Sequence, residues 1–201
     1  MKNNFRIKNN VIKRTCKRIE NDYNCYLDDL IIDFHDRCGY CDTPFNLAPS
    51  REIDHFIPQS VCKYFGKSYL INSYDNLVLS CVKCNRRKSA KCSNNTNNTK
   101  LENNLFYDPG VVDFNKIFYR NEFGMICSDD KKGKTMISEL RLHNPIYTIA
   151  WFIEMLDITI KKYDSAYGKS DDIEIIKIIS MLKSKEIEMH NLFVSNYQFL
   201  K

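Results

Sequence analysis

Long apolar runs are missing from this 201-residue chain. No stretch approaches the roughly 20 consecutive apolar residues that a membrane helix requires, so no membrane contact is expected. Six Gly and five Pro are too few for collagen-like or low-complexity architectures. Residues 1–14, MKNNFRIKNNVIKR, carry a charge every few positions and lack the apolar core of a secretory signal, which leads us to expect a cytoplasmic protein. Internal repeats are absent as well. What the chain does hold is 43% hydrophobic residues, with twelve Tyr and twelve Phe, too apolar a composition for general disorder. A domain of this length could bury roughly 70% of its unfolded surface.

The net charge is a modest +5, but the cations cluster. Lys2, Arg6, Lys8, Lys13, Arg14, Lys17 and Arg18 precede the first acid, Glu20. Lys83, Arg86, Arg87, Lys88, Lys91 and Lys100 form a second segment with no acid between them. Two such segments suit a polyanion such as nucleic acid; a solvated basic face would look the same.

Residues 1–20 read as a basic arm or a helix start. From position 22 to 37 the apolar residues Tyr23, Tyr26, Leu27, Leu30, Ile31 and Phe34 fall on one helical face, and Cys38-Gly39 should end that helix. The short apolar runs 53–57 and 77–79 read as strands, and 93–104, SNNTNNTKLENN, reads as a polar linker. Residues 111–119 and 122–127 suggest a strand pair. Asn144-Pro145 is a helix start, with Asn at the cap and Pro in the first turn. That helix should run to about 163, break at 168–170 and be followed by a last helix over 172–199. The expected organisation is an arm and helix (1–35), a core (36–92), the linker (93–104), and a strand pair with two long helices (105–201).

Nine cysteines in a reducing compartment favour metal binding over a disulfide framework. Cys38-Gly-Tyr-Cys41 and Cys81-Val-Lys-Cys84 form two knuckles whose thiolates can converge on one tetrahedral zinc. One such pair alone could equally be a redox centre; two together point to structural Zn2+. Cys16, Cys25, Cys62, Cys92 and Cys127 are then free thiols. His35 precedes the first knuckle but is not needed in a filled shell. His143 is expected in a loop and His190 in a structural helix position.

The segment between and just after the knuckles holds Asp54-His55, Asn76 and Asn85-Arg86-Arg87-Lys88. Singly, none is informative. Together they supply what phosphodiester cleavage needs. Neutral His55 can take a proton from water near neutral pH. Asp54 offers a hard oxygen ligand, and Asn85, at a helix start, offers a neutral one. Two protein oxygens leave an octahedral Mg2+ room for water and phosphate oxygens. A bulge or strand end at 54–55 would be needed, because neighbouring strand residues face opposite sides. Asn76 suits orienting His55 or bracing its loop. Arg86, Arg87 and Lys88 could bind the phosphate backbone.

The pattern C-x2-C … D-H-x-x-P … N-L-V-L-x-C-x-x-C-N-x-x-K resembles the HNH endonuclease family, in its subgroup with a ββα-metal site built around a four-cysteine zinc. The resemblance covers Cys38 to Lys88. It implies that His55 is the general base, Asn76 the middle residue of the motif, and Asp54 and Asn85 ligands of a catalytic Mg2+ or Mn2+. Asn85 stands where the family's final His is usual. HNH domains of CRISPR effector nucleases likewise carry Asn there, and a neutral oxygen ligand counts against softer catalytic ions such as zinc or nickel. Beyond the core the chain is similar to small HNH proteins of bacterial defence and restriction loci, with Tyr107-Asp108-Pro109, Phe123-Gly124 and Leu140 to Asn144 in comparable places.

The expected fold is α+β: a zinc-stabilised ββα-metal core flanked by an N-terminal helix and C-terminal helices. The expected activity is Mg2+-dependent hydrolysis of DNA in anti-phage defence or restriction. One site cuts one strand, so a double-strand cut needs a homodimer, a second visit or a partner protein. A non-catalytic zinc module that binds nucleic acid, and a nuclease acting on RNA, are the competing readings.

Overall fold

A computed structural model of the protein describes residues 2–7, 11–93, 101–167 and 172–198. In chain order the elements are strand β1 (Asn3–Asn4), helix α1 (Leu27–Asp33), strand β2 (Arg51–His55), helix α2 (Gln59–Tyr64), strand β3 (Leu77–Cys81), helix α3 (Val82–Lys88), strands β4 (Tyr119–Arg120) and β5 (Ile126–Cys127), and helices α4 (Lys131–Glu139), α5 (Pro145–Tyr167) and α6 (Ile173–Gln198). Helices and small sheets are mixed, as the sequence led us to expect. Among the described residues, no helix is long and apolar enough to cross a membrane.

The centre is a β2–β3–α3 unit. β2 and β3 are antiparallel and pair without a bulge from Arg51↔Cys81 to His55↔Leu77; α3 follows β3 directly. Every residue of β3 is buried, because β2 pairs with it and α1 packs across it. Its LVLSC sequence is therefore continuous rather than alternating. A Cβ on Gly39 would lie 2.7 Å from the Phe34 ring and 2.9 Å from Val78, so only glycine lets the first knuckle approach β3. Helix α1 ends at Asp33, sooner than expected, where His35 and Asp36 adopt φ of 56° and 53°.

The N-terminal basic arm is not free. β1 pairs with β4, which pairs with β5, and Phe5 packs against Phe114 and Phe118. Arg6 is buried on Asp42 (2.7 Å) and on the Gly39 carbonyl (2.9 Å). Asp42 also accepts from Arg37, which reaches Glu154 of α5 at 2.6 Å. Arg14 pairs with Asp108 at 2.9 Å and donates to the Leu77 carbonyl at 2.9 Å. Two arginines expected to face a polyanion thus brace the knuckle and the start of β3.

The expected strand over 111–119 survives only as Tyr119–Arg120, after a 3-10 turn at Phe114–Lys116. Helix α4 is unheralded: KKGKTMISE has a glycine in its first turn and buries only Gly133 and Met136. Within the expected linker, Asn103 is buried and donates to the Phe56 and Lys91 carbonyls; residues 94–100 lie outside the described ones, as do 168–170 and Phe199. Asn144 starts α5 as foreseen, its Oδ1 accepting from Ile146 N at 3.0 Å. Helices α5 and α6 pack along each other. Lys83 of α3 holds the end of α6 by donating to the Tyr197 carbonyl at 3.0 Å, with its ammonium over the Tyr197 ring.

Candidate active site

Cys38, Cys41, Cys81 and Cys84 come together, all buried, with their sulfurs within 4.8 Å of one another. A tetrahedral zinc with bonds of about 2.3 Å requires sulfurs about 3.8 Å apart, and Cys41 Sγ lies 3.9 Å from Cys81 Sγ. The donor set and its spacing fit a zinc ion. The first knuckle lies between α1 and β2, and the second spans the end of β3 and the first turn of α3, so one ion would tie the sheet to both flanking helices. Tyr147 of α5 brings its hydroxyl to 3.8 Å from Cys84 Sγ and accepts from Arg87 at 2.9 Å. His35 takes no part in the cluster.

A cleft of about 340 Å³ opens beside the sheet, with Tyr23, Asp54, His55, Gln59 and Asn85 among its lining residues. Three of the four expected catalytic residues therefore share one cavity. His55 is the last residue of β2, so a strand end, not a bulge, places it beside Asp54.

His55 is held on three sides. Its Nε2 lies 2.9 Å from the Ile71 carbonyl. A carbonyl only accepts, so Nε2 carries the ring proton and Nδ1 keeps its lone pair. The Gln59 amide nitrogen lies 3.3 Å from Nδ1, and the Tyr23 ring meets the imidazole edge-on at 4.6 Å. Burial lowers the His55 pKa, and the Lys88 charge adds to this against the opposing Ile71 carbonyl. The imidazole is therefore a neutral base near pH 7.

Asn76 does not reach the cleft. It is buried behind it, accepting from Ile57 N at 2.7 Å and donating to the Ile57 and Leu70 carbonyls at 3.1 Å each. These bonds fix the backbone next to Ile71, whose carbonyl holds His55. Of the two roles expected for Asn76, its contacts match loop bracing.

Asp54 is buried between two donors. Tyr40 donates to Oδ2 at 2.5 Å, and Lys88 Nζ lies 3.0 Å from each carboxylate oxygen. Lys88 also donates to the His55 carbonyl at 2.6 Å. Burial pushes the Asp54 pKa up to about 6, although Lys88 and Tyr40 pull it down. Asn85 Nδ2 donates to Glu52 at 2.7 Å. A carboxylate can only accept, so Glu52 turns the amide to leave Oδ1 as the atom available to a ligand. The donor chemistry of Asp54 and Asn85 thus fits a hard divalent cation.

The basic trio on α3 divides. Arg86 is exposed, as a phosphate contact requires. Arg87 is half-buried, donating to Tyr147 and to the Leu140 carbonyl. Lys88 is 0% exposed. The expected phosphate role is corrected for Lys88, which lies on the inner face of α3, and Arg87 is spent on bracing α5. The sequence reading missed Tyr40, Glu52, Gln59 and the Ile71 carbonyl. Glu52 could have been found, since it sits two residues before Asp54 and so shares its strand face. A backbone acceptor leaves no sequence signal.

Residues 38–91 match the family model described as HNH endonuclease. The chain is also similar to the Septu protein PtuB of Bacillus mycoides (strain KBAB4), at 26% identity over 193 residues, covering 82% of this chain and 65% of that protein. This chain therefore spans about two-thirds of the length of that relative. No solved structure matches it. The matched span contains all four clustered cysteines together with Asp54, His55, Asn76 and Asn85, so the likeness to the HNH endonuclease family falls on the residues of the candidate site.

Proposed function

We propose that this protein is a metal-dependent endonuclease that hydrolyses phosphodiester bonds in DNA. The observation that carries the reading is His55, a buried neutral imidazole with its Nδ1 lone pair in the same cleft as Asp54 and Asn85. A binding module has no use for a base beside two oxygen donors. Nδ1 takes the proton of a water molecule, whose oxygen attacks phosphorus in line with the 3′ oxygen; the P–O3′ bond breaks and the departing 3′ oxygen takes a proton from solvent water, giving 5′-phosphate and 3′-hydroxyl ends. The Ile71 carbonyl favours the imidazolium that forms. Mg2+ or Mn2+ on Asp54 and Asn85 would supply charge stabilisation at the phosphate and the leaving oxygen. Tyr40 and Lys88 aim the Asp54 carboxylate, Asn76 acts through the loop it braces, and Arg86 meets the phosphate backbone. The four-cysteine zinc is structural.

The setting we propose is bacterial anti-phage defence or restriction in the cytoplasm. The resemblance to small HNH proteins of such loci and the likeness to a Septu protein support it. We take 36–92 as the catalytic unit and α5–α6 as the part that docks a partner protein or a second copy. Ile173, Ile176, Met181 and Ile187 leave α6 apolar and exposed. Incubation of the protein with supercoiled plasmid and with structured RNA, each with Mg2+, Mn2+ or EDTA, tests the activity. Metal-dependent nicking of plasmid with ligatable ends is expected. Cleavage of RNA alone would replace DNA as the substrate, and equal cutting in EDTA would refute the mechanism.

A further inference from the structure

Residues 63–69, Lys-Tyr-Phe-Gly-Lys-Ser-Tyr, turn their rings to solvent. Tyr64 is 84% exposed, Tyr69 70% and Phe65 41%, whereas Tyr26, Tyr40 and Tyr74 of the same chain are buried. Tyr64 and Phe65 meet edge to face at 5.0 Å. The segment is ordered by its own backbone: Phe65 N bonds Val61 O, Gly66 turns the chain at φ 65°, and Lys67 N returns to Cys62 O at 2.8 Å. Rings held in place without packing a core mark an interaction surface.

The chain on both sides of this segment contacts His55. Helix α2 begins at Gln59, which touches His55 Nδ1, and rises about 7.5 Å from Gln59 to Tyr64. That is about two steps of a stacked strand. Tyr69 stands two residues before Ile71, which holds His55 Nε2. Exposed lysines flank the rings. Lys63 is exposed, and exposed Lys17 shares with Tyr69 a surface hollow of about 530 Å³. Glu20 and Asp75 also line that hollow, Glu20 being paired with Arg18.

Aromatic faces interleaved with lysines beside a phosphate-cutting centre are what unpaired bases bind, since every base has a face to stack and every step a phosphate to neutralise. Duplex DNA keeps those faces covered. We propose that Tyr64, Phe65 and Tyr69 form a stacking platform for unpaired bases flanking the phosphate at His55, so that the preferred substrate is single-stranded or locally opened nucleic acid. This rests on the nuclease reading above and specifies its substrate.

The test uses the full chain carrying His55→Ala, which binds without cutting. Fluorescence anisotropy compares a labelled 20-nucleotide single strand with its blunt duplex in Mg2+. Tighter binding of the single strand is expected. Tyr64→Ala and Tyr69→Ala should each weaken it on the order of tenfold while duplex affinity stays within about twofold. Tyr64→Trp should restore binding and Tyr64→Leu should not, because stacking needs a ring. Unchanged circular dichroism melts show that these exposed substitutions leave the fold intact. Single-strand affinity unaffected by both alanines, or restored by leucine, overturns the proposal and assigns the rings to a protein partner. Cleavage by the parent chain is scored separately: a parent that binds through Tyr64 but never cuts refutes the nuclease reading alone.

Discussion

Replacing Lys88 by methionine removes one buried charge from beside Asp54. The ammonium is 0% exposed and lies 3.0 Å from both oxygens of Asp54. Its loss leaves a buried carboxylate with only the Tyr40 hydroxyl, a change that commonly costs about 3–5 kcal/mol. Proton uptake limits the damage. Asp54 titrates at about 6 with Lys88 present. Holding it protonated at pH 8 therefore requires about two pH units, or about 3 kcal/mol. At pH 5 the carboxyl is already mostly protonated, and what remains is the lost bond to the His55 carbonyl, about 1 kcal/mol. The sign follows from the pKa: the folded state binds this proton more tightly than the unfolded state. This group's contribution is therefore fully present below about pH 4 and lost as pH rises through about 6. Urea denaturation of zinc-loaded parent and Lys88→Met should show a loss of about 3–4 kcal/mol at pH 8 and about 1 kcal/mol at pH 5. Adding Asp54→Asn should recover part of the pH 8 loss, since no orphan charge is left. Equal losses at both pH values with no recovery would refute the buried ion pair.

Cys81→Ser should lower zinc content, measured by atomic absorption, and abolish cooperative unfolding, because zinc binding of about 10–16 kcal/mol is coupled to folding in small four-ligand sites. A soluble, zinc-free and stable variant would sink the metal assignment. Asn76→Ala deletes three hydrogen bonds, two of them buried, and should destabilise by about 2–4 kcal/mol, read by thermal melts. It should also slow cleavage by loosening the Ile71 carbonyl. Nuclease rates should rise with pH, half-maximal near 6, and level off above about 7, since Asp54 must ionise and burial keeps His55 neutral from a still lower pH than an exposed histidine. More Mg2+ should move the rise to lower pH, as metal competes with the proton on Asp54. A rise centred above pH 7 would exclude both groups as its source.

Where a local rule governs structure, the sequence was readable. Cys-x-x-Cys spacing anticipated the sulfur cluster, the apolar run at 77–79 anticipated β3, and Asn144-Pro145 marked the start of α5. The site was read as residue identities but only partly as roles. Lys88 and Arg87 look like phosphate ligands in the string Asn-Arg-Arg-Lys, yet α3 turns successive residues by about 100°. That turn sends Lys88 inward to Asp54, sets Arg87 against Tyr147 and leaves Arg86 exposed. Arg6 and Arg14 misled in the same way, because their partners Asp42 and Asp108 are distant in sequence. Helix α4 escaped notice because its first-turn glycine packs on Ser128, a reason that exists only in three dimensions. The Ile71 carbonyl, which sets the tautomer of His55, is invisible to any reading of side chains.

In the proposed mechanism His55 is the base of a zinc-held nuclease site. The most direct measurement compares plasmid nicking by the parent and by His55→Ala at saturating Mg2+, with zinc content and melting temperature determined on the same samples. We expect a loss of at least about 100-fold in rate with zinc content unchanged. A His55→Ala protein that keeps its zinc and cuts as fast as the parent would contradict that role for His55.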